Sequence, residues 1–404
     1  MTIDLEALYV DLHKHPELSF QETRTAGVIV RHLTELGLEV EEGVGRTGLV
    51  TSIVNGDGPV VWLRADMDGL PVQEQTGLDY ASTAKGTDPA GLEVPVMHAC
   101  GHDMHVSSLV GALERLVNTK NDWSGTVVAV FQPAEEYGAG SKAMIADGVL
   151  DRYPRPDIVL GQHVTPLPAG VIGVRPGTQM AASDGLTVVL HGRGGHGSRP
   201  HSTIDPVVMA AATVMRLQTI VSREIDPRDV AVVTVGSIHA GLKNNIIPAE
   251  AKLELSLRYP NDEARAKVLE KVERVIRAEA AASGAEQTPT ITTDHTLPPT
   301  INDETATARL TGAFQRAFGD DSVVDPGMFT GSEDVSWFAR EAGVPLVFWF
   351  WGGVDPKKFA DAVAGGTLDR DVPTNHSPYF APVLQPTLDR GVENLVVAAR
   401  EFLA

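Results

Sequence analysis

Four short segments of the chain concentrate side chains that bind metal ions. They are 97–105 (MHACGHDMH), 131–136 (FQPAEE), 161–163 (GQH) and, far along the chain, 374–378 (TNHSP). Thiolate, imidazole and carboxylate groups together are the ligands of zinc and the neighbouring divalent transition ions. Cys100 and His102 flank a glycine before a predicted helix, so both side chains can face one ion. The set indicates metal-assisted chemistry, although His98 and His105 also fit an interpretation as ordinary polar residues at a helix start.

Two adjacent carboxylates, Glu135 and Glu136, follow an apolar segment that ends in FQPA. On an extended backbone neighbouring side chains point in opposite directions, so one carboxylate can bind a metal while the other transfers a proton. Hydrolysis needs both tasks, because water must lose a proton and the leaving group must gain one. The alternative interpretation is a solvated acidic pair in a loop.

The segment 192–197, GRGGHG, matches the G-x-G-x-x-G pattern of dinucleotide-binding proteins. That pattern requires a helix that begins at once and an acidic residue at the end of the next strand. Here Ser198-Arg199-Pro200 follows and no such acid is evident, which argues against a nucleotide site. The sequence also contains no G-x-S-x-G elbow and no phosphate-binding loop.

The elements that must position these residues alternate between helix and strand in the first third of the chain. The patterns predict helices at 21–36 and 106–117 and strands at 60–64, 126–132 and 158–163. Strands interleaved with helices predict an α/β layer with a largely parallel sheet. Ligands collect beyond the carboxyl ends of such strands, and Asp66, Glu135 and His163 each follow a predicted strand.

From about residue 181 the pattern changes. It predicts strands at 186–190, 231–237 and 252–259 and helices at 206–221 and 262–282, which together make a compact α+β unit. After a proline-rich turn at 297–300 the helix–strand alternation returns, with a strand at 345–350. We therefore predict a discontinuous catalytic domain, residues 1–180 plus 297–404, and an inserted domain, residues 181–296.

Composition restricts the class of protein. A chain of 404 residues with 43% hydrophobic and 21% charged residues is typical of a globular protein with two domains. A formal charge of −20 repels phosphate backbones and anionic membranes, so we expect neither nucleic acid nor membrane as a partner. The start of the chain does not resemble a signal peptide and no apolar run approaches the ~20 residues of a bilayer span, so we expect a cytoplasmic protein. The single cysteine, Cys100, excludes an intramolecular disulfide.

Eight segments together resemble the di-metal aminoacylase and carboxypeptidase superfamily, and within it the amidohydrolase branch of hippurate hydrolases, auxin-conjugate hydrolases and bacterial N-acyl-amino-acid amidohydrolases. The segments are HKHPELSFQE, LRADMDGLP, MHACGHDMH, FQPAEEYGAGSKAMI, GQHV, GRGGHGSRPH, NNIIP and TNHSPYFAP, in the family's order over nearly the whole chain. The resemblance implies an α/β catalytic domain with a mostly parallel sheet, phosphorylase/hydrolase-like and of the zinc-peptidase type. It also implies that the inserted α+β domain is ferredoxin-like and serves as a lid and dimerisation unit.

The resemblance also implies roles for individual residues. Two divalent metal ions per subunit, zinc or else cobalt, manganese or nickel, would be held by Cys100, His102, Glu136, His163 and His376. Glu135 would be the general acid and base. Asn245 and Arg258 would hold the substrate carboxylate, and His196 would reach the active site of a neighbouring subunit. Asp66 would orient a ligand without binding the metal itself.

The chain departs from the family pattern in two places. Gly197 follows His196 where the family often has alanine, and Leu255-Ser256-Leu257 precedes Arg258 where it usually has a glycine–threonine pair. The aromatic run 348–351 (FWFW) leaves two interpretations open, the lining of an acyl pocket or a strand packed in the core.

The expected function is metal-dependent hydrolysis of the amide bond of small N-acyl amino acids by a homodimer. One alternative is a dipeptidase or carboxypeptidase on the same fold, from which Cys100 distinguishes the amidohydrolase branch by resemblance. A second alternative, from another class, is a non-catalytic metal-binding dimeric scaffold. That alternative would be favoured by loss of Glu135 or of a ligand, and neither is lost here.

Overall fold

A computed structural model describes residues 2–404, and the chain forms two compact units. The first unit consists of residues 2–179, 301–327 and 334–404, and the second of Met180–Thr300 and Met328–Glu333. The segment Met328–Glu333 lies in the second unit because the Ala181 amide donates to the carbonyls of Phe329 and Gly331, at 2.9 and 3.1 Å. The sequence pattern alone assigns this segment to the catalytic domain.

Twelve helices and eighteen strands are numbered here in chain order within residues 2–404. The helices are α1 (Leu5–Lys14), α2 (Thr23–Glu35), α3 (His102–Asn118), α4 (Gly140–Ala146), α5 (Val149–Arg152), α6 (Pro206–Arg223), α7 (Asp262–Ala282), α8 (Glu304–Phe318), α9 (Ser336–Ala342), α10 (Pro356–Gly365), α11 (Leu368–Asp371) and α12 (Leu384–Phe402). The strands are β1 (Val40–Val44), β2 (Gly48–Asn55), β3 (Val60–Asp66), β4 (Lys85–Thr87), β5 (Glu93–Pro95), β6 (Gly125–Gln132), β7 (Ile158–Pro168), β8 (Ile172–Gly173), β9 (Gly177–Met180), β10 (Ala182–His191), β11 (Gly195–His196), β12 (Val232–Ala240), β13 (Ile246–Ile247), β14 (Glu250–Tyr259), β15 (Thr290–Leu297), β16 (Thr300–Asn302), β17 (Val323–Val324) and β18 (Leu346–Val354).

The first unit is built on an eight-stranded sheet in the order β1-β2-β6-β3-β7-β18-β8-β17. Its four central strands, β6, β3, β7 and β18, are parallel, while β1, β2 and β8 add antiparallel pairings toward the edges. Every residue of β6 is buried, as expected for a parallel sheet covered by helices on both faces. The predicted α/β class with a mostly parallel sheet is confirmed.

The aromatic run on β18 lies in the core of the first unit. Phe348, Trp349 and Trp351 are fully buried and Phe350 nearly so. The indole N–H of Trp349 donates to the side-chain oxygen of Gln162 at 3.1 Å, which satisfies its one polar group. The structure therefore places these rings in a packed strand, the second of the two interpretations.

The second unit has the order β10-α6-β12-β14-α7-β15 along the chain. Its four strands form an antiparallel sheet in the order β12-β14-β10-β15, so the unit has the connectivity of a ferredoxin-like fold. On α7 the apolar residues Val268, Val272, Val275 and Ile276 are all buried on one face, as helical spacing predicts. No helix within residues 2–404 is long and apolar enough to cross a membrane.

Strand register brings the polar ends of the central strands to one edge of the first unit's sheet. Asp66 lies opposite Gln132 across β3 and β6, and His163 lies opposite Phe350 across β7 and β18. The predicted strand at 158–163 is too short, because β7 continues to Pro168. His163 is therefore part of a strand that extends beyond its neighbours, and it does not follow the strand in a loop.

Candidate metal centre

All five predicted metal ligands lie in the first unit and form one contiguous cluster. The Cys100 sulfur lies 3.4 Å from His163 Nε2, and His376 Nε2 lies 3.3 Å from Glu136 Oε1. Ligand atoms of Cys100, His102 and Glu136 lie within 4.8 Å of one another. Cys100, His102 and His163 are buried, and Glu136 is half-buried. The structure thus brings together side chains that are up to 276 positions apart in the sequence.

The backbone at Gly101 aims two of these ligands. Gly101 adopts the left-handed conformation, φ +85°, directly before α3. A Cβ at this position would lie 2.4 Å from a methyl carbon of Val164, so only glycine fits. The helix begins at His102, four residues earlier than the sequence pattern predicts. Cys100 and His102 therefore project from a tight turn and from the first residue of the helix.

Asp68 orients His102. The Nδ1–H of His102 donates to Asp68 Oδ1 at 3.2 Å, which leaves Nε2 as the nitrogen that can present a lone pair to a cation. Asp68 also accepts hydrogen bonds from the backbone amides of Glu135 and Glu136, at 3.2 and 3.1 Å. One buried carboxylate therefore positions a candidate ligand and both acidic residues. Sequence reasoning missed Asp68, although it alternates with Asp66 in the motif LRADMDGLP.

His163 and His105 are both buried, but only His163 has a ring nitrogen that can bind a metal. The Nδ1–H of His163 donates to the Val164 carbonyl at 2.8 Å, so its Nε2 lone pair faces the cluster. In His105 both ring nitrogens are engaged, since Nε2 accepts from the Val164 amide at 2.9 Å and Nδ1 is bonded to Asp66. His105 lies within reach of the cluster, but it offers no lone pair to a metal.

Carboxylates give the cluster a negative electrostatic potential. Burial opposes a charge on His102, yet the carboxylates of Asp66, Asp68 and Glu136 raise its pKa to about 10. Burial also opposes the charge of Asp66, but Arg64, His102 and His105 hold the pKa of its carboxyl well below its ordinary value. A site with this balance attracts cations, and a divalent ion displaces protons from its ligands.

The cluster contains a buried ring nitrogen that makes no hydrogen bond. Across residues 2–404, the buried atoms without a hydrogen bond include His102 Nε2, which lies 4.0 Å from Glu136 Oε1. An unsatisfied buried polar atom is costly, and one that lies among thiol, imidazole and carboxylate groups fits divalent cation binding. The residues present therefore fit the metal centre that the resemblance implies.

Glu135 lies beside this cluster. It is only 7% exposed, and one of its carboxylate oxygens lies within 4.8 Å of one from Asp66. Asp66 Oδ2 in turn lies 3.7 Å from His102 Nε2. Asp66 is also bonded to Arg64 at 2.6 Å, so it is held by charged and polar groups around the cluster. This arrangement places a buried carboxylate next to the candidate ligands, where it can exchange a proton.

Asn375 connects three of the segments that carry predicted ligands. Its side-chain amide donates to the carbonyls of Cys100 and Val164, both at 3.1 Å. The next residue, His376, adopts φ +70° and its amide donates to the Ala99 carbonyl at 2.8 Å. Asn375 was not singled out from the sequence, although it directly precedes a predicted ligand.

The second unit contains the other three predicted site residues. His196 on β11 pairs with Ile246 on β13, and the Gly197 amide donates to the Asn245 carbonyl at 2.8 Å. A Cβ on Gly197 would lie 3.2 Å from the Asn245 backbone, so this departure from the family pattern permits a close approach. Arg258 on β14 donates to the Ser332 hydroxyl at 3.3 Å. His196 and Asn245 are thus neighbours within the unit.

His196 is exposed and has a defined tautomer. Its Nδ1 accepts from the Ser198 amide at 3.1 Å and lies 2.7 Å from the Ser198 hydroxyl. The neutral ring therefore carries its proton on Nε2. His196 presents an N–H donor at the surface of the second unit, as a group that stabilises a negatively charged oxygen must.

The chain is similar to several known proteins. The model of peptidase family M20/M25/M40 matches residues 62–364. N-acetylcysteine deacetylase from Bacillus subtilis is 37% identical over 381 residues, which cover 92% of this chain and 93% of that protein. Thermostable carboxypeptidase 1 from Saccharolobus solfataricus is 37% identical over 352 residues, 86% of this chain and 85% of that protein. The solved structure of Bacillus subtilis YxeP, a dinuclear metal binding peptidase from the M20 family, has a TM-score of 0.77, 31% identity and 98% coverage of both chains.

These similarities confirm the resemblance that the eight motifs indicate. They also confirm, at the level of the family, the prediction of a metal-dependent hydrolase that acts on amide bonds. The cluster of candidate ligands lies at the edge of the sheet that the family's fold provides. The chain belongs to peptidase family M20/M25/M40.

Proposed function

We propose that this protein hydrolyses the amide bond of small N-acyl amino acids, releasing a carboxylate and a free amino acid. The observation that supports this most is the cluster in which His102 Nε2, which makes no hydrogen bond, lies near Cys100 and Glu136, with Glu135 adjacent. A relative that is 37% identical over nearly its whole length is an N-acetylcysteine deacetylase, whose substrate belongs to this class.

In this proposal each side chain of the cluster has a binding role. Cys100, His102, Glu136, His163 and His376 would hold two divalent cations. When bound, such cations acidify water and polarise a carbonyl group. Asp68 and the Val164 carbonyl keep His102 and His163 in the tautomers that present Nε2. These hydrogen bonds orient the two imidazole rings in the absence of a bound ion.

Glu135 moves the proton in this proposal. Its carboxylate takes a proton from the attacking water as the new C–O bond forms, and delivers it to the amine nitrogen as the C–N bond breaks. Burial of Glu135 keeps bulk water away from this transfer and keeps the carboxylate within the cluster. His196 donates its Nε2–H to the carbonyl oxygen as negative charge develops there. Asn245 and Arg258 bind the carboxylate of the amino acid product.

A carboxypeptidase activity is the second candidate, because a relative that is 37% identical is a thermostable carboxypeptidase. The two functions differ in whether the acyl part of the cleaved amide is a simple acyl group or an aminoacyl residue, which in a dipeptide carries a charged amine. A panel of N-acetyl, N-benzoyl and long-chain acyl amino acids, each matched to a dipeptide with the same C-terminal residue, separates them. We expect kcat/KM for the best N-acyl substrate to exceed that of its matched dipeptide at least ~10-fold, since burying the charged ammonium group of a dipeptide has a desolvation cost that a neutral acyl group lacks. The reverse ratio would assign the protein to the peptidases.

The homodimer is part of the same proposal. The second unit exposes large apolar side chains, among them Val208 and Met215, seven residues apart on one face of α6, at 64% and 72% exposure. Ile238 on the edge strand β12 is also exposed, at 51%. An apolar helix face together with an open strand edge is suited to a twofold contact with a second copy. His196 in this unit would then serve the active site of the other subunit.

Mixing two inactive variants, His196→Ala and Glu135→Gln, tests this arrangement. After random subunit exchange half of the dimers are hybrids, and each hybrid contains one site with a wild-type Glu135 and the other subunit's wild-type His196. About a quarter of wild-type activity should therefore return. The control is the mixture before exchange. Failure of activity to return, with exchange proven by mass spectrometry, would show that His196 does not act across the interface.

A further inference from the structure

Glu22 is a fully buried carboxylate that the mechanism above does not use. It occupies the N-cap position of α2, yet within the described chain its side chain makes no cap hydrogen bond to that helix. Instead its Oε1 accepts from the backbone amides of Phe20 and Ala134, both at 2.9 Å, and its Oε2 accepts from the Thr47 hydroxyl at 2.5 Å. An acidic N-cap residue ordinarily accepts a hydrogen bond from a backbone amide in the first turn of its own helix. This carboxylate instead binds groups outside the helix.

The residues that Glu22 holds have an unusual backbone. Phe20 and Ala134 adopt φ +62° and φ +48°, two of only four non-glycine residues with positive φ among residues 2–404. The left-handed conformation is unfavourable for residues with a Cβ and persists only where surrounding contacts impose it. A single oxygen of Glu22 therefore binds the amides of two strained residues.

Ala134 is the residue directly before Glu135. Its amide is bound by Glu22, and its carbonyl accepts from the Gly140 amide at 3.1 Å at the start of α4. Both the amide and the carbonyl of Ala134 are thus hydrogen-bonded. The direction in which the chain leaves Ala134 determines where the Glu135 side chain points.

We propose that Glu22 is a positioning residue, which holds Ala134 in the left-handed conformation and thereby aims Glu135 at the reacting water. The proposal rests on the role of Glu135 in the proposed function. It requires a hydrogen-bond acceptor at position 22 and does not require a charge. Glutamine satisfies this requirement, because its amide oxygen can accept from both backbone amides and its NH₂ can donate to Thr47.

Two variants of similar size separate the acceptor from the volume of the side chain. Glu22→Gln should keep kcat near the wild-type value, whereas Glu22→Met, which fills the same space without an acceptor, should lower kcat by ~10- to 100-fold. KM and bound metal, measured by elemental analysis of the holoenzyme, should stay unchanged in both. Thr47→Val, a milder change that removes only the bond to Oε2, should lower kcat by a few-fold and provides a test if Glu22→Met does not fold.

The decisive measurement is the double variant Glu22→Met with Ala134→Gly. Glycine adopts positive φ without a steric penalty, so the double variant should recover ~5-fold or more of the lost kcat. A merely structural role of Glu22 predicts no such recovery. Wild-type kcat in Glu22→Met, equal losses in the Gln and Met variants, or no recovery by Ala134→Gly would each overturn the proposal. Glu135→Gln is assayed alongside, because its retention of activity would refute the proposed function, whereas its inactivity together with a fully active Glu22→Met would refute only the role of Glu22.

Discussion

Replacement of Glu135 by glutamine is expected to lower kcat by at least ~100-fold while the protein keeps its full complement of metal. Glutamine has the same shape as glutamate but cannot accept a proton from water at neutral pH. The side chain is buried beside the candidate ligands, and the neighbouring amide of Glu136 remains held by Asp68, so the substitution leaves the ligand positions intact. Steady-state kinetics and elemental analysis of the same preparation measure both quantities.

Glu136→Gln is the matched control, because it makes the same chemical change at the next residue. Glu136 Oε1 lies 3.3 Å from His376 Nε2 and 4.0 Å from His102 Nε2, within the candidate metal centre. Loss of its negative charge should lower the metal content, and activity should fall together with it. If instead Glu135→Gln lost metal and Glu136→Gln kept it, the two roles would have to be exchanged.

Removal of metal is expected to abolish hydrolysis, and a divalent ion should restore it. The proposed mechanism needs a cation to acidify water, and a carboxylate alone does not do this at neutral pH. Dialysis against a chelator, followed by addition of zinc, cobalt, manganese or nickel in separate samples, measures the dependence and identifies which ions support activity. Full activity in a preparation shown to be metal-free would contradict the assignment.

Cys100→Ser should weaken metal binding measurably, since a hydroxyl does not ionise near a cation as a thiol does. A titration of the apoprotein with each ion gives the change in affinity without relying on turnover. His239→Asn, at an exposed histidine on β12, is the control and should leave the metal titration unchanged. Unchanged affinity in Cys100→Ser would remove the cysteine from the ligand set.

The sequence by itself determined the types of the chemical groups and the elements that carry them. Thiol, imidazole and carboxylate groups cluster in four motifs, and residue type can be read without a structure. Periodicity predicted α7 with the bounds that the structure shows, because its buried face is defined by residues three and four apart on the same helix. Strand β3 and its polar end at Asp66 follow from the local pattern in the same way.

Other features depended on the tertiary structure, because they arise between residues that are distant in the sequence. Only the fold shows that His105 Nε2 accepts a hydrogen bond from the Val164 amide and so cannot bind a metal. In His102 the bond to Asp68 is made by Nδ1, so Nε2 remains the nitrogen that can bind one. The direction of a lone pair depends on which nitrogen is protonated, and a partner 34 or 59 positions away decides this.

The same limit applies to the backbone before the proposed catalytic acid. No local pattern predicts a left-handed alanine, since that conformation is intrinsically unfavourable for a residue with a Cβ. Ala134 adopts it where a carboxylate 112 positions earlier binds its amide. Local sequence encodes which residues can perform chemistry, whereas contacts between distant segments decide which of their atoms are presented and in what direction.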